Sequence, residues 1–215
     1  KEVIDRFEKK IKDFPYGVEL KEIIRDCYLN SKDLSKATRK LVNYLFSKYG
    51  LIIIDANNKN LKLLFRDTLE RELKERLVYN ESKKSINLLN KLNYSIQANP
   101  REVNLFYIEE QRRERIIEKG GSFQTLSASK KWNLDEIKIE ISNNPEKFSP
   151  NVLFRPIFQE YILPNICYVG GPAEVSYWLQ LKSVFDSIDL SYPIILNRNS
   201  ALILEKKALK KLKKL

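Results

Sequence analysis

The chain has 215 residues, 43% hydrophobic and 31% charged, ordinary for a globular protein with a substantial core. It contains no histidine, which excludes a Ser-His-Asp triad, a His-ligated zinc site and an imidazole base from within this chain. Six of its +11 net charges come from Lys206, Lys207, Lys210, Lys211, Lys213 and Lys214, and without them the balance is only +5, with charges of both signs interspersed.

In chain order, Val3, Ile4, Phe7 and Ile11 repeat at helical spacing until Pro15 stops the pattern. This charged, amphipathic start is not a signal peptide, and no later apolar run reaches the roughly 18 residues of a membrane helix. Cys27 and Cys167 lie in apolar periodic segments, as reduced structural thiols of a cytoplasmic protein do. Lacking methionine and opening inside a helix, the chain reads as a piece of something longer. A helix is predicted over about residues 34–49, with Gly50 in the C-terminal capping position. Residues 51–55, Leu-Ile-Ile-Ile-Asp, read as a parallel strand buried on both faces with Asp55 at its carboxyl end. Two helices follow, at about 60–78 and 81–92.

Residues 94–127 change character, with short strand patterns at 94–98, 103–108, 113–117 and 122–126. Gly120-Gly121 supplies the positive φ angles of a tight hairpin. This stretch is expected to be a small antiparallel insertion between an α/β part at 1–93 and a core at 128–201. Asn133 and Glu136 form a capping box for a helix ending before Pro145. From there, a helix at 157–163, a strand at 166–169, a helix at 173–187 and a strand at 192–196 alternate, and a Lys/Leu helix closes the chain over 202–215. Such alternation with short connections predicts an α/β fold with a mostly parallel sheet.

The residue types suited to chemistry gather late in the chain. Residues 148–159 place Asn151, Arg155 and Gln159 in a frame stiffened by Pro150 and Pro156, where a guanidinium suits carboxylate or phosphate. The plainer alternative is an arginine pairing a structural acid while Asn151 caps a turn. Tyr168-Val-Gly-Gly-Pro-Ala-Glu174 follows a strand and opens a helix, so Gly170 and Gly171 permit close approach of an anion. It matches neither the dinucleotide fingerprint nor the P-loop, and a tight turn with Pro172 at the first helical position explains it equally well. Glu174 and Tyr177 share a helix face, although Tyr177 and Trp178 are of a kind more often found in cores. Arg198 and Ser200 lie just beyond the last strand, where open α/β sheets bind ligands and where a plain polar loop is the alternative.

Residues 148–159, 168–181 and 198–201, taken together, resemble the bacillithiol biosynthesis cysteine-adding enzymes, the BshC family. Tyr49 to Asp55, Leu61-Lys62, Glu72-Leu73 and Asn104 to Tyr107 are similar to that family as well. The resemblance implies a Rossmann-type core like that of class I aminoacyl-tRNA synthetases, with insertions and a long C-terminal coiled coil. It also implies a ligase joining cysteine to the amine of glucosaminyl-malate, with ATP activating the carboxylate. On this likeness Arg155, Arg198 and Ser200 are the catalytic positions, and Asn151, Gln159, Gly170, Gly171, Glu174 and Tyr177 bind substrate. No metal site is readable. Asn197 departs from the family pattern, where proline is expected. The family's amino-terminal portion, with its first core strand and histidine-containing signature, and most of the coiled coil are also not in this sequence. The isolated piece is therefore expected to be inactive and the full-length parent to be a homodimer. A nucleic-acid-binding module and a non-catalytic interaction fragment are the rival readings. Against the first, the lysines share their terminal helix with Leu202, Leu209 and Leu212, a packing pattern rather than a nucleic-acid face.

Overall fold

The structure, a computed structural model, describes residues 2–110 and 112–213. It divides after Ala56 into two units. The first is helical: α1 (Glu2–Ile11), α2 (Gly17–Leu29) and α3 (Leu34–Phe46), followed by a 3-10 turn at Ser47–Tyr49. Gly17 lies so close to the end of α1 that a Cβ there would meet the Ile11 carbonyl oxygen at 2.1 Å. Arg25 on α2 pairs with Asp5 at 2.7 Å and with Glu8, joining α1 to α2. The Asp33 carboxylate caps α3 by accepting from the Lys36 amide at 2.8 Å, and Gly50 ends the 3-10 turn at φ 79°.

The strand expected at residues 51–55 is not formed. The segment is irregular, and Leu51, Ile52 and Ile54 are exposed. An apolar run becomes a buried strand only beside a ladder partner, and none of the described strands pairs with it.

The second unit opens with α4 (Lys59–Leu64), α5 (Arg66–Glu75) and α6 (Leu77–Lys91). The α5–α6 break lies at Arg76, which adopts a left-handed conformation at φ 49°. Next come β1 (Leu105–Glu109), β2 (Arg112–Lys119), β3 (Ser122–Thr125), β4 (Lys131–Trp132), α7 (Leu134–Asn143) and β5 (Phe148–Pro150). The capping box predicted at Asn133 and Glu136 is present at the start of α7. These strands form a five-stranded antiparallel sheet in the order β4-β3-β2-β1-β5. The expectation of a mostly parallel sheet is thereby corrected. Glu109 lies opposite Arg112 where β1 meets β2, and a tight turn through Gly120 and Gly121, at φ 61° and 75°, connects β2 to β3. A parallel crossover needs about a dozen residues or more, which these links lack.

The last part of the chain does form a parallel crossover. After α8 (Arg155–Ile162), β6 (Cys167–Gly170) leads through α9 (Pro172–Leu179) and α10 (Lys182–Ser187) to β7 (Ile194–Asn197). β6 and β7 pair in parallel, Cys167 opposite Ile194 and Gly170 opposite Asn197. Tyr168 and Ile195 turn inward against the core, whereas Val169, Ile194 and Leu196 are exposed. The final helix, α11 (Lys206–Leu212), has no described side chain buried, so no coiled-coil packing is seen on it.

The strand expected at residues 94–98 is replaced by a side-chain substitute. Gln180 is fully buried; its Oε1 accepts from the Gln97 and Ala98 amides at 2.9 and 3.0 Å, and its Nε2 donates to the Ala98 carbonyl. One amide side chain thus offers the hydrogen bonds a neighbouring strand would have supplied.

The core joins α5, α6, the sheet and α7–α10 around Phe65, Leu105, Ile116, Ile141, Phe148, Phe154, Trp178 and Phe185. Two glutamates among the described residues have no exposed surface, Glu160 on α8 and Glu72 on α5. Burial pushes Glu72 up to about 7 from 4.5, against the opposing effect of hydrogen bonds from Val78 and Asn104. A folded-state value above the unfolded one means that this group favours folding below pH 4.5 and loses that contribution as pH rises to about 7. Stability is expected to drop by an amount of order 3 kcal/mol across that window. Chemical denaturation at several pH values would show the slope in the wild type and flatten it in Glu72→Gln; equal slopes would exclude Glu72 as its source.

Candidate active site

The start of α8 is set by Asn151. Its Oδ1 accepts from the Leu153 and Phe154 amides, both at 3.0 Å, and its carbonyl accepts from the Arg155 amide at 2.9 Å. Asn151 is therefore engaged as a cap, and its Nδ2 donates to Asn104 Oδ1 at 2.7 Å. One turn along α8, Arg155 and Gln159 face the same way.

The Arg155 guanidinium is half-buried and held in two directions. Nη1 donates to Gln159 Oε1 at 2.9 Å, and Nη2 donates to the Tyr177 hydroxyl on α9 at 2.9 Å. Both partners are neutral. Burial opposes the charge, but the Tyr177 and Tyr168 hydroxyls outweigh it and hold Arg155 above its ordinary value. Gln159 is fixed in turn by donating to Glu160 Oε1 at 2.9 Å, and buried Glu160 accepts from the Asn165 backbone and side chain.

At the adjoining strand-to-helix turn, Glu174 Oε2 accepts from the Gly171 amide at 2.8 Å and Oε1 from the Tyr168 hydroxyl at 3.1 Å. This is half of a capping box, since Gly171 has no side chain to return the bond. The Gly171 amide holds the Glu174 carboxyl below its usual range, helped by Tyr168, Arg198 and Arg155 against a modest burial effect. Burial pushes Tyr168 up, with the nearby Arg155 guanidinium opposing. Arg198 donates its amide to the Gly170 carbonyl at 2.7 Å, and its exposed guanidinium lies over Gly171. A Cβ on Gly171 would come 2.9 Å from Arg198 Nη2, and one on Gly170 would come 2.7 Å from the Tyr168 ring. Both glycines thus mark places where side chains cross the backbone closely.

Arg155, Gln159, Gly170, Gly171, Glu174, Tyr177 and Arg198 therefore gather at the carboxyl ends of β6 and β7. Asn151 stands one hydrogen bond away, below α8. Ser200 is exposed beyond β7, and no hydrogen bond ties it to the cluster among the described residues. Sequence reasoning assigned no role to Tyr168 or Glu160. The parity of β6, which turns Tyr168 to the helix side together with Gly170, was the available signal for the first. The arrangement can bind an anion: two guanidinium groups converge on a turn, one of them with only neutral partners. Among the described residues no group of His, Cys, Asp or Glu side chains could hold a metal ion, and no helix is long and apolar enough to cross a membrane.

Residues 1–199 match the family model described as bacillithiol biosynthesis BshC, N-terminal Rossmann-like domain. A relative from Flavobacterium johnsoniae, named as a candidate cysteine ligase BshC, is 43% identical over 98% of this chain and 39% of its own length. Namesakes from Flavobacterium psychrophilum and Staphylococcus carnosus are 45% and 29% identical, over 91% and 99% of this chain and 36% and 40% of their own lengths. The chain thus spans about two fifths of the length of the curated relatives it matches. With the family model covering all but the last residues and relatives above 40% identity along almost its full length, the chain belongs to the BshC family of bacillithiol biosynthesis.

Proposed function

We propose that this chain supplies the anion-binding wall of a ligase that joins cysteine to the amine of glucosaminyl-malate, using ATP. The observation that carries this reading is the Arg155 guanidinium, fixed by two neutral partners beside Arg198 and the Gly170-Gly171 turn. The relatives' name as cysteine ligases supports the reaction class.

The residues present fit a nucleotide's phosphates in one respect. Arg155 and Arg198 offer guanidinium donors at the carboxyl ends of parallel strands, where open α/β sheets receive ligands. The Gly171 amide already donates to Glu174 and Pro172 has no N–H, so the guanidinium groups would supply the positive charge at the turn. Bound nucleotide would supply activation of the cysteine carboxylate toward attack by the sugar amine. In this scheme Arg155 binds and orients the anion, Gln159 and Tyr177 keep its fork in place, and Glu174 holds the turn carrying Gly171. Arg198 adds positive charge from the solvent side. Activity belongs to the full-length parent, proposed to be a coiled-coil homodimer; the 215-residue chain alone is expected to be inactive.

The test is to incubate the full-length parent with cysteine, glucosaminyl-malate and ATP and follow the products by mass spectrometry. Amide product with AMP or ADP supports the reading, and the by-product names the activation chemistry. Product without nucleotide turnover removes ATP from the scheme. No product from folded protein overturns the ligase assignment.

A further inference from the structure

The buried carboxylate of Glu72 has no cation beside it among the described residues, and all its hydrogen bonds come from amides. Oε2 accepts from the Val78 backbone at 2.9 Å; Oε1 accepts from the Asn104 backbone at 2.8 Å and from Asn104 Nδ2 at 2.9 Å. Burying such a charge is unfavourable, and an apolar side chain would fill the space without that cost. What its two acceptor oxygens provide is direction. A carboxylate only accepts, so Asn104 must turn its Nδ2 toward Glu72, from where it also reaches the Arg101 carbonyl. Asn104 Oδ1 then faces the other way and accepts from Asn151 Nδ2 at 2.7 Å and from the Arg101 amide at 3.1 Å. That contact in turn commits Asn151 Oδ1 to the Leu153 and Phe154 amides at the start of α8. Reversing either amide would set N–H groups against N–H groups.

We propose that Glu72 is a positioning residue for Arg155, acting through Asn104 and Asn151 to fix the first turn of α8. The relay runs from α5 through the residue preceding β1 to the turn between β5 and α8, segments far apart in sequence, and ends at the residue whose amide donates to the Asn151 carbonyl. Its structural part stands without the ligase reading; only its kinetic consequence rests on it.

The test uses the full-length parent and two readouts. Glu72→Leu removes every acceptor while keeping bulk, and is expected to speed hydrogen exchange at the Leu153, Phe154 and Arg155 amides about tenfold relative to Ile116 and Ile117 in β2. It is also expected to slow amide-product formation roughly 10- to 100-fold, mainly in kcat. In an Arg155→Ala background the same change should cost nothing further, because its effect passes through Arg155. Glu72→Gln keeps an oxygen toward Asn104 but sets its NH2 group against the Val78 N–H, so both readouts should fall between those of the wild type and Glu72→Leu. If Glu72→Leu does not fold, Asn104→Ala cuts the relay one step later and should give the same pattern. Exchange that rises equally in β2 and α8, or kinetic losses that add across the two backgrounds, would overturn the proposal. If the wild type makes no product, the ligase reading falls and the exchange readout alone decides the positioning role.

Discussion

Arg155→Ala in the full-length parent is expected to slow product formation by roughly 10²- to 10³-fold, the size seen when one oriented donor to developing charge is removed. The wild-type guanidinium is aligned by Gln159 Oε1 at Nη1 and by the Tyr177 hydroxyl at Nη2, leaving its remaining N–H groups for a ligand. Lysine restores the charge but not the fork. An ammonium on a flexible stem cannot hold both partners and present a flat face, so Arg155→Lys should recover little. Stability should change modestly, by about 1–2 kcal/mol, since the variant loses two hydrogen bonds to neutral groups and leaves the Tyr177 hydroxyl without that donor. Steady-state rates paired with melting curves would separate the effects. Unchanged kcat/KM in a folded variant would remove Arg155 from the site.

The largest stability loss is expected at Phe65. Its ring lies 5.2 Å from each of the rings of Phe154, Phe158 and Tyr161, and it is 1% exposed at the junction of α4 and α5. Truncation removes the hub of that cluster and leaves a cavity that its neighbours cannot close without moving α8. Phe65→Ala should cost about 3–5 kcal/mol, lowering the melting temperature by roughly 10 °C for a protein of this size. Phe14, which is 65% exposed, provides the contrast: Phe14→Ala should stay within about 0.5 kcal/mol. A drop of only a degree or two for Phe65→Ala would mean that the aromatic cluster repacks, contrary to its described geometry.

The parts of the fold that could be read from sequence were those with local causes. The Asn133–Glu136 capping box, the Gly120-Gly121 hairpin and the Gly50 stop each depend on residues within a few positions of one another, and all three are formed. Sheet direction is a long-range property. Alternating helix and strand signals correctly gave the β6–β7 crossover, but the same logic extended over the whole chain missed that β5 returns to pair antiparallel with β1. The run at 51–54 carried the composition of a buried strand without a partner to bury it. Gln180 shows the converse, a polar residue on a helix standing in for a strand.

The candidate site divides the same way. Arg155, Gln159, Gly170, Gly171, Glu174, Tyr177 and Arg198 were singled out because they flank glycines, prolines and a strand end, and they do converge. Asn151 is engaged in the cap that the plainer sequence reading allowed. Glu72 and Asn104 gave no local signal of a link to Arg155, because nothing in a helix or strand pattern states which buried amide a carboxylate will meet about thirty positions later.

The chain contains two tryptophans, and their placement gives it two optical probes of different character. Trp178 is fully buried and stacked on Tyr168 with ring centroids 4.0 Å apart, while the Tyr168 hydroxyl donates to Glu174 at the glycine turn. Trp132 packs edge-on against Tyr107 in the antiparallel sheet. Indole emission responds to the ring stacked on it, so a ligand that draws Glu174 or Tyr168 out of place perturbs the Trp178 signal and leaves that of Trp132 steady. A Trp132→Phe variant isolates the responding fluorophore, which allows occupancy of the turn to be followed in real time without a label or a coupled assay.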